Sequence, residues 1–477
     1  MSIELVKSEN EIPAFAILGH PNEGKSSVVS TLTEDDQIRV SPIPGETTKS
    51  SAYTVKIDGQ EIIRFVDTPG FQVPQQTLAW FQSFNGNPGK MVDQFIQAFE
   101  NDPFYADECE LFRPVARGAG IIYVVDGSRP VRDDDLAEIE ILRLMGRPRM
   151  AVINSKTDQK DYSSDWKREF QKSFNAIRSF NSNTANYNER IGMLESLKSI
   201  DQEGEKVLSK VVKAFRSDWQ KRKLTVCEEI AHTLEKCIAY SVSEPLLSDT
   251  DTKVIQEKLN QRYEMQVKQF EQQMFHKIRT LFKHRLFDYQ LPEYSILSHD
   301  LFSKQTWELL GLTTQQLASV GAVIGGSLGV VLDAAAAGVT FGVFTAIGSA
   351  LGAGSALWGG KKLTREKRAG VRLGGDKLTV GSNQSLQFLY ILLDRALAYT
   401  SHMVNRSHGR RDLVLVKQSS ASGKKGYTTH FTMAQKKVCA RFFKVVSRSI
   451  FSMDKKARQD FQDMLDSLID QISEDRT

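Results

Sequence analysis

Gly19-His20-Pro21-Asn22-Glu23-Gly24-Lys25-Ser26 decides how this chain begins to fold. An apolar run, Ala14-Phe15-Ala16-Ile17-Leu18, precedes it, and a helix-forming run, Ser27-Val28-Val29-Ser30-Thr31-Leu32, follows. Strand, glycine-rich turn and helix in that order are the setting in which a G-x-x-x-x-G-K-S stretch binds phosphate. Gly19 and Gly24 let the backbone wrap an anion without Cβ clashes. The loop through His20, Pro21, Asn22 and Glu23 to Ser27 then faces that anion with the helix N-terminus. Lys25 is placed to reach the β and γ phosphates, and the Ser26 hydroxyl to take a magnesium position.

Glu61-Ile62-Ile63-Arg64-Phe65-Val66 reads as a buried strand ending in Asp67-Thr68-Pro69-Gly70. An aspartate there holds magnesium through water, and Gly70 offers its N–H to a γ-phosphate; an ordinary turn is the bland alternative. Between the two motifs lies Pro44-Gly45-Glu46-Thr47-Thr48-Lys49, followed by the alternating strand Ala52 to Ile57. A threonine that binds magnesium only while the γ-phosphate is present makes a switch. Thr48 is the expected residue and Thr47 the alternative.

A further apolar strand, Gly118 to Asp126, and a helix from about Asp134 to Met145 lead to Met150-Ala151-Val152-Ile153-Asn154 and then Ser155-Lys156-Thr157-Asp158. Asp158 at a strand end can accept from N1–H and N2–H₂ of guanine, a donor pair adenine lacks, with the Lys156 stem across the base. The ligand expected is therefore GTP or GDP with Mg²⁺.

The order GHPNEGKS, GETTK, DTPG and SKTD resembles the translation-factor-related GTPases, in the branch of Era, EngA and MnmE. The resemblance implies an α/β P-loop GTPase domain with a mostly parallel, doubly wound sheet. Where that branch has Asn-Lys-x-Asp, Ser155 stands in place of the asparagine and lacks the amide that ties this loop to the P-loop. A one-residue shift to Asn154 is the alternative, opposed by the spacing to Lys156 and Asp158. The last base-contacting loop resembles a Ser-Ala-Lys tripeptide only loosely, at Asn181-Ser182-Asn183-Thr184-Ala185. Asn22 occupies the position at which potassium-activated members coordinate K⁺, an ion able to act as an arginine finger does; shaping the turn is its other reading. Phe71 follows Gly70 where Ras-type enzymes carry a water-orienting glutamine, so hydrolysis is expected to be slow without a partner, an ion or dimerisation. Lys25, Thr48, Gly70 and Asn22 are the residues expected to serve catalysis.

The 477 residues allow two or three domains, and a net charge of +4 points to neither nucleic acid nor membrane. Cys109, Cys227, Cys237 and Cys439 form no C-x-x-C pair and read as free thiols of a reducing compartment. Met1 to Lys7 has no signal-peptide pattern, which sets the expected location in the cytoplasm.

The GTPase domain is expected over 1–201, with Gln75 to Arg117 adding one or two helices that suit a partner or dimer contact, or are passive. Helical sequence follows over 202–310. There Ile255, Leu259, Tyr263, Val267, Phe270, Met274, Ile278 and Leu281 form a stripe suited to core packing or to a coiled coil. Residues 311–368 hold a glycine-rich apolar stretch, 317–360, with Asp333 its one charge and Lys361, Lys362, Arg365, Lys367 and Arg368 at its end. Small residues four apart suit close helix contact, so a helical hairpin is expected. Val320 to Leu332 contributes only about −2 to −4 kcal/mol to insertion, which a central Asp333 would cancel. Insertion is thus marginal; association with the cytoplasmic face of the inner membrane and burial in a soluble core both remain open. Residues 369–477 are expected to be helical again, with a helix from Leu386 to Val404 and one from about Met433 to Ile472. No KH-like RNA-binding pattern occurs in Gly370 to Gly375, so nucleic acid is not a strong expectation. The layout resembles an uncharacterised bacterial GTPase family with a C-terminal domain of unknown function. A GTP-controlled switch acting on a membrane-associated helical domain is the first reading, a ribosome or RNA assembly GTPase the second, and a dynamin-like remodeller the third.

Overall fold

Ile121 to Val125 and Met150 to Ile153 are apolar without a break, and both runs are wholly buried. Strands buried on both faces belong in the middle of a parallel sheet. That is where the computed structural model, which describes residues 12–38, 47–155, 160–200, 204–245, 252–284, 297, 299–323, 367–368, 371–372, 377–408, 426–448 and 454–474, places them. The strands are β1 (Ala14–Leu18), β2 (Ser51–Ile57), β3 (Gln60–Asp67), β4 (Gly120–Asp126), β5 (Arg149–Asn154) and β6 (Ala176–Phe180). They form one mixed sheet of order β2-β3-β1-β4-β5-β6, in which only β2 runs antiparallel to its neighbour. The chain leaves β1 for β3 on one side and later β4 on the other. The carboxyl end of β1 is therefore the crevice where such sheets bind ligands, and Gly19 to Ser26 sits there.

Helices cover both faces. They are α1 (Lys25–Thr33), α2 (Pro74–Ser83), α3 (Met91–Phe99), α4 (Ala106–Ala116), α5 (Asp133–Leu144), α6 (Ser163–Phe170), α7 (Tyr187–Ile200) and α8 (Glu205–Ala239). Successive side chains of β1 point to opposite faces. Phe15 and Ile17 join Val28, Leu32, Leu194 and Leu197 in one core, while Ala16 and Leu18 join Phe71, Phe95, Phe112 and Trp166 in the other. The expected extra helices are α3 and α4, held by an aromatic cluster in which Phe95 lies 5.2 Å from Trp80 and 5.4 Å from Phe112.

The chain divides into two compact units. The first holds the residues up to Lys221 together with two later stretches, 282–284 and 404–408 among the described residues. Within it, Glu34 bonds Arg190 at 2.6 Å and Lys283 at 3.2 Å, and the His284 and His408 rings stack 4.2 Å apart.

The second unit is helical. Its helix α9 (Thr252–Leu281) buries Ile255, Leu259, Tyr263, Val267, Met274 and Ile278 inside the chain, so the apolar stripe is core. Glu271 on the same face meets Arg395 in a buried ion pair. Two short strands absent from the sequence expectation, Ser241–Pro245 and Lys377–Gly381, pair antiparallel. The helix Leu386–Val404 forms as expected. The single helix expected over Met433 to Ile472 is instead two, Met433–Arg448 and Lys455–Glu474. The second has its own start: Asp454 Oδ1 accepts from the N–H of Lys456 at 3.0 Å and of Ala457 at 3.3 Å, a helix N-cap.

Of the glycine-rich stretch 317–360, only 317–323 is described, as the end of a helix over Thr314–Val323; the expected hairpin lies outside the described residues. No helix among the described residues is long and apolar enough to cross a membrane.

Candidate nucleotide site

Two glycines of the turn are required by their surroundings. Gly19 has φ +145°, and a Cβ there would lie 2.2 Å from the Val124 carbonyl oxygen. Gly24 has φ +90°, and its Cβ would lie 2.3 Å from Asn154 Nδ2. Gly24 starts α1 without a side-chain cap, which leaves the first-turn N–H groups to an incoming anion. Lys25 is buried and donates to the carbonyls of Gly19 at 3.0 Å and His20 at 2.9 Å. Burial pushes its pKa down, with Asp67, Glu138 and Glu23 opposing. Pro21 is half-buried and packs against Gly70, where a Cβ would lie 2.5 Å from the Pro21 nitrogen. Asn22 is exposed with φ 66°, a left-handed backbone that asparagine tolerates better than most residues.

Of the three expected magnesium ligands, Ser26 and Asp67 meet. Ser26 Oγ donates to Asp67 Oδ2 at 2.6 Å, and Asp67 Oδ1 is buried with no hydrogen-bond partner. Burial raises the Asp67 pKa, against the pull of Ser26 and Lys25. An orphaned carboxylate oxygen beside a hydroxyl is an oxygen donor set that fits a hard divalent cation. Thr68 Oγ1 donates to the Ile17 carbonyl at 2.7 Å, and Phe71 N–H to the Gly19 carbonyl at 3.3 Å, which ties the DTPG turn to β1 and the phosphate loop. The Phe71 side chain is fully buried against Phe112. Thr48 is exposed and Thr47 half-buried, while Pro44 to Glu46 lie outside the described residues.

Helix α4 reaches both the segment that follows Asp67 to Gly70 and the segment that leads into β2. Glu108 Oε1 accepts from the N–H of Gln72 and of Val73, each at 2.7 Å, and the Glu110 carbonyl accepts from Ser50 Oγ at 2.7 Å. The added helices are therefore built into the flank of the site.

His20 and Glu23 anchor the loop from beneath. His20 Nδ1 lies 2.9 Å from Glu138 Oε1, and Tyr123 OH donates to Glu138 Oε2 at 2.8 Å. Glu23 accepts from Asp126 N–H and pairs with Arg129 at 2.6 Å; Arg129 also pairs with Asp135 at 2.6 Å. Burial raises the Glu23 pKa, with Arg129 opposing. Burial pushes the Glu138 carboxyl up to about 7, and its hydrogen bond raises His20. The folded state thus holds a proton on Glu138 that the unfolded chain releases from about pH 4.5 upward. That proton is shared with His20, whose hydrogen bond to Glu138 favours the imidazolium only once Glu138 is ionised, so the pair holds one extra proton in the folded state. Between pH 5 and 7.5, Glu138→Gln should therefore lose less stability in chemical denaturation than the wild type, buried neutral His408, whose contribution has the opposite sign, being common to both. An unchanged slope in the variant would refute this account.

On the base side, the tether that Ser155 lacks is made one residue earlier. Asn154, buried at the end of β5, donates from Nδ2 to the Glu23 carbonyl at 3.0 Å. Its Oδ1 accepts from Ser182 N–H and Ser182 Oγ, both at 3.1 Å. The loop 181–185 thereby stands beside the phosphate loop at the carboxyl end of β6. Ser155 is half-buried, and Lys156 and Asp158 lie outside the described residues. Sequence reasoning missed Glu138, Tyr123, Arg129 and Asp135. Their one local signal was the acid-rich start of α5, Asp133-Asp134-Asp135.

Residues 14–155 match the family model described as 50S ribosome-binding GTPase, and residues 167–470 match the domain of unknown function DUF3482. GTPase Era of Clostridioides difficile (strain 630) is 30% identical over 148 residues, 31% of this chain and 41% of that protein. GTPase Der of Gloeothece citriformis is 28% identical over 169 residues, 35% of this chain and 32% of that protein. The chain thus spans less than half the length of these curated relatives. Among solved structures, Aquifex aeolicus Era bound to GDP and AlF4⁻ covers 51% of this chain and 75% of its own, with 14% identity and a TM-score of 0.27, a likeness too slight to bear on function. The DUF3482 match spans more than half of the chain, which therefore belongs to that family and carries, ahead of it, a P-loop GTPase domain related to those of Era, Der and MnmE.

Proposed function

We propose that this protein binds guanine nucleotide and hydrolyses GTP slowly, as a switch whose output is the helical DUF3482 region. The contact between Ser26 Oγ and Asp67 Oδ2 beside buried Lys25 carries this reading, because it gathers a magnesium donor set at a phosphate-binding turn. Ser26, Thr48 and, through water, Asp67 would hold magnesium, which would supply charge neutralisation on the β and γ phosphates. Lys25 adds a fixed positive charge and Gly70 a backbone donor for the γ-phosphate, while Asp158 and Lys156 select guanine. Phe71, buried in the core, leaves no side chain at its position to orient water. That supports slow turnover, with acceleration by K⁺ at Asn22, by a partner or by a second copy.

The low charge and four-residue spacing of small residues in 317–360 support an output at the membrane surface. A second reading, assembly of ribosomes, is favoured by the 50S ribosome-binding description of the matching GTPase family. One set of measurements tests both: GTP and ATP binding and hydrolysis in KCl and in NaCl, with liposome flotation and ribosome co-sedimentation in each nucleotide state. The expected result is tight GTP and weak ATP binding, faster hydrolysis in KCl, and flotation that depends on nucleotide. Equal affinity for GTP and ATP overturns the guanine assignment. Co-sedimentation with ribosomes in GTP without flotation overturns the membrane output in favour of the second reading.

A further inference from the structure

The Ser182 carbonyl, on the other side of the loop held by Asn154, accepts from the hydroxyl of Ser407, a residue 225 positions further along the chain. Thr31 Oγ1 of α1 lies 2.9 Å from that same carbonyl and 2.9 Å from Ser407 Oγ. Ser182 and Ser407 are 1% and 2% exposed, so water does not compete for these bonds. The segment carrying Ser407 is fixed independently. The His408 carbonyl accepts from Ser30 Oγ at 2.9 Å, and the His408 ring, stacked on His284, bonds the Phe282 carbonyl through Nε2 at 3.0 Å. Burial keeps the His408 pKa far below its ordinary value, so the ring is neutral and donates from Nε2. Loop 181–185 is thereby clamped between Asn154, which also holds the phosphate loop, and Ser407.

We propose that Ser407, from the DUF3482 region, is a positioning residue of the guanine site: its hydroxyl fixes the 181–185 loop through the Ser182 carbonyl. This rests on the reading of 181–185 as the loop that meets the base. Phosphate binding depends on Gly19 to Ser26 and not on this loop. Losing the Ser407 hydroxyl therefore costs affinity for the base-selective ligand and spares one held by its phosphates alone.

The experiment uses the full chain and fluorescent GDP and ADP analogues. Ser407→Ala should weaken GDP binding roughly three- to ten-fold, the effect of one buried hydrogen bond, and leave ADP binding unchanged, so the GDP/ADP preference falls. A purely structural role would lower both affinities alike or only the unfolding temperature. Ser407→Cys, close in volume and a weak donor, gives the same reading should the alanine variant not fold. Unchanged GDP affinity in a folded variant, or equal loss for both nucleotides, overturns the proposal. A wild-type protein with no preference for GDP over ADP instead overturns the underlying base-loop reading.

Discussion

Lys25→Met should weaken GTP binding by roughly two orders of magnitude or more while leaving the nucleotide-free protein folded. The ammonium is already held over the loop by the carbonyls of Gly19 and His20. A phosphate arriving there finds the donor in place. Charge-assisted hydrogen bonds contribute about 1.5–3 kcal/mol each, and two to phosphate oxygens account for a loss of roughly 10²–10⁴ in affinity. Methionine keeps the apolar stem and removes the charge. In the nucleotide-free protein, two lost bonds to carbonyls oppose relief from burying an ammonium, so the unfolding midpoint should move little. Calorimetric titration with GTP and a thermal melt check both halves. Binding within a few-fold of wild type would remove Lys25 from the phosphate site.

Asn154→Ala should be the most damaging change on the base side. Its side chain fills three bonds, one to the Glu23 carbonyl and two from Ser182. Truncation leaves the Glu23 carbonyl and the Ser182 N–H and hydroxyl without this partner, at about 1–3 kcal/mol for each buried group left unsatisfied. The melting temperature should drop by roughly 5–10 °C, following the usual scaling for a domain of this size. GDP affinity should drop at least about ten-fold, because both the phosphate loop and loop 181–185 lose a common support. Asn154→Asp separates the two effects. It keeps acceptors for Ser182 but turns an oxygen toward the Glu23 carbonyl, so the phosphate loop suffers and the Ser182 contact survives. Wild-type melting and GDP affinity in the alanine variant would refute the tether.

The parts of this fold readable from sequence are those whose cause is local. Gly19, Gly24, Lys25 and Ser26 announce a phosphate turn because strand, turn and helix are contiguous. Ile121 to Val125 and Met150 to Ile153 announce a sheet centre because neither run is broken by a charged residue. Asn154 was set aside on its spacing to Lys156 and Asp158, since nothing in a linear reading shows its amide reaching Glu23. Strand β6, Ala-Ile-Arg-Ser-Phe, carries too little apolar pattern to be seen, and the loop after it was therefore hard to place. Asp454 starts a second helix where one long helix is expected, because a cap that accepts from Lys456 and Ala457 does not show in an amphipathic stripe. Ser407 and His408 sit in a basic, Ser- and Gly-containing stretch, Arg406 to Gly426, that reads as a loop; their buried role comes only from Ser182, Ser30 and Phe282.

The return of residues 282–284 and 404–408 to the first unit has a consequence in time. A chain emerging from the ribosome completes the main stretch of that unit at Lys221, but its last stretch begins only at Val404, 183 residues later. At about 5–20 residues per second, that interval is roughly 10–40 s. Through it, Ser182 and the Ser30 hydroxyl lack the contacts that Ser407 and His408 supply. The nucleotide site therefore matures only once most of the DUF3482 region exists, so a prematurely ended chain would carry the motif without the finished pocket.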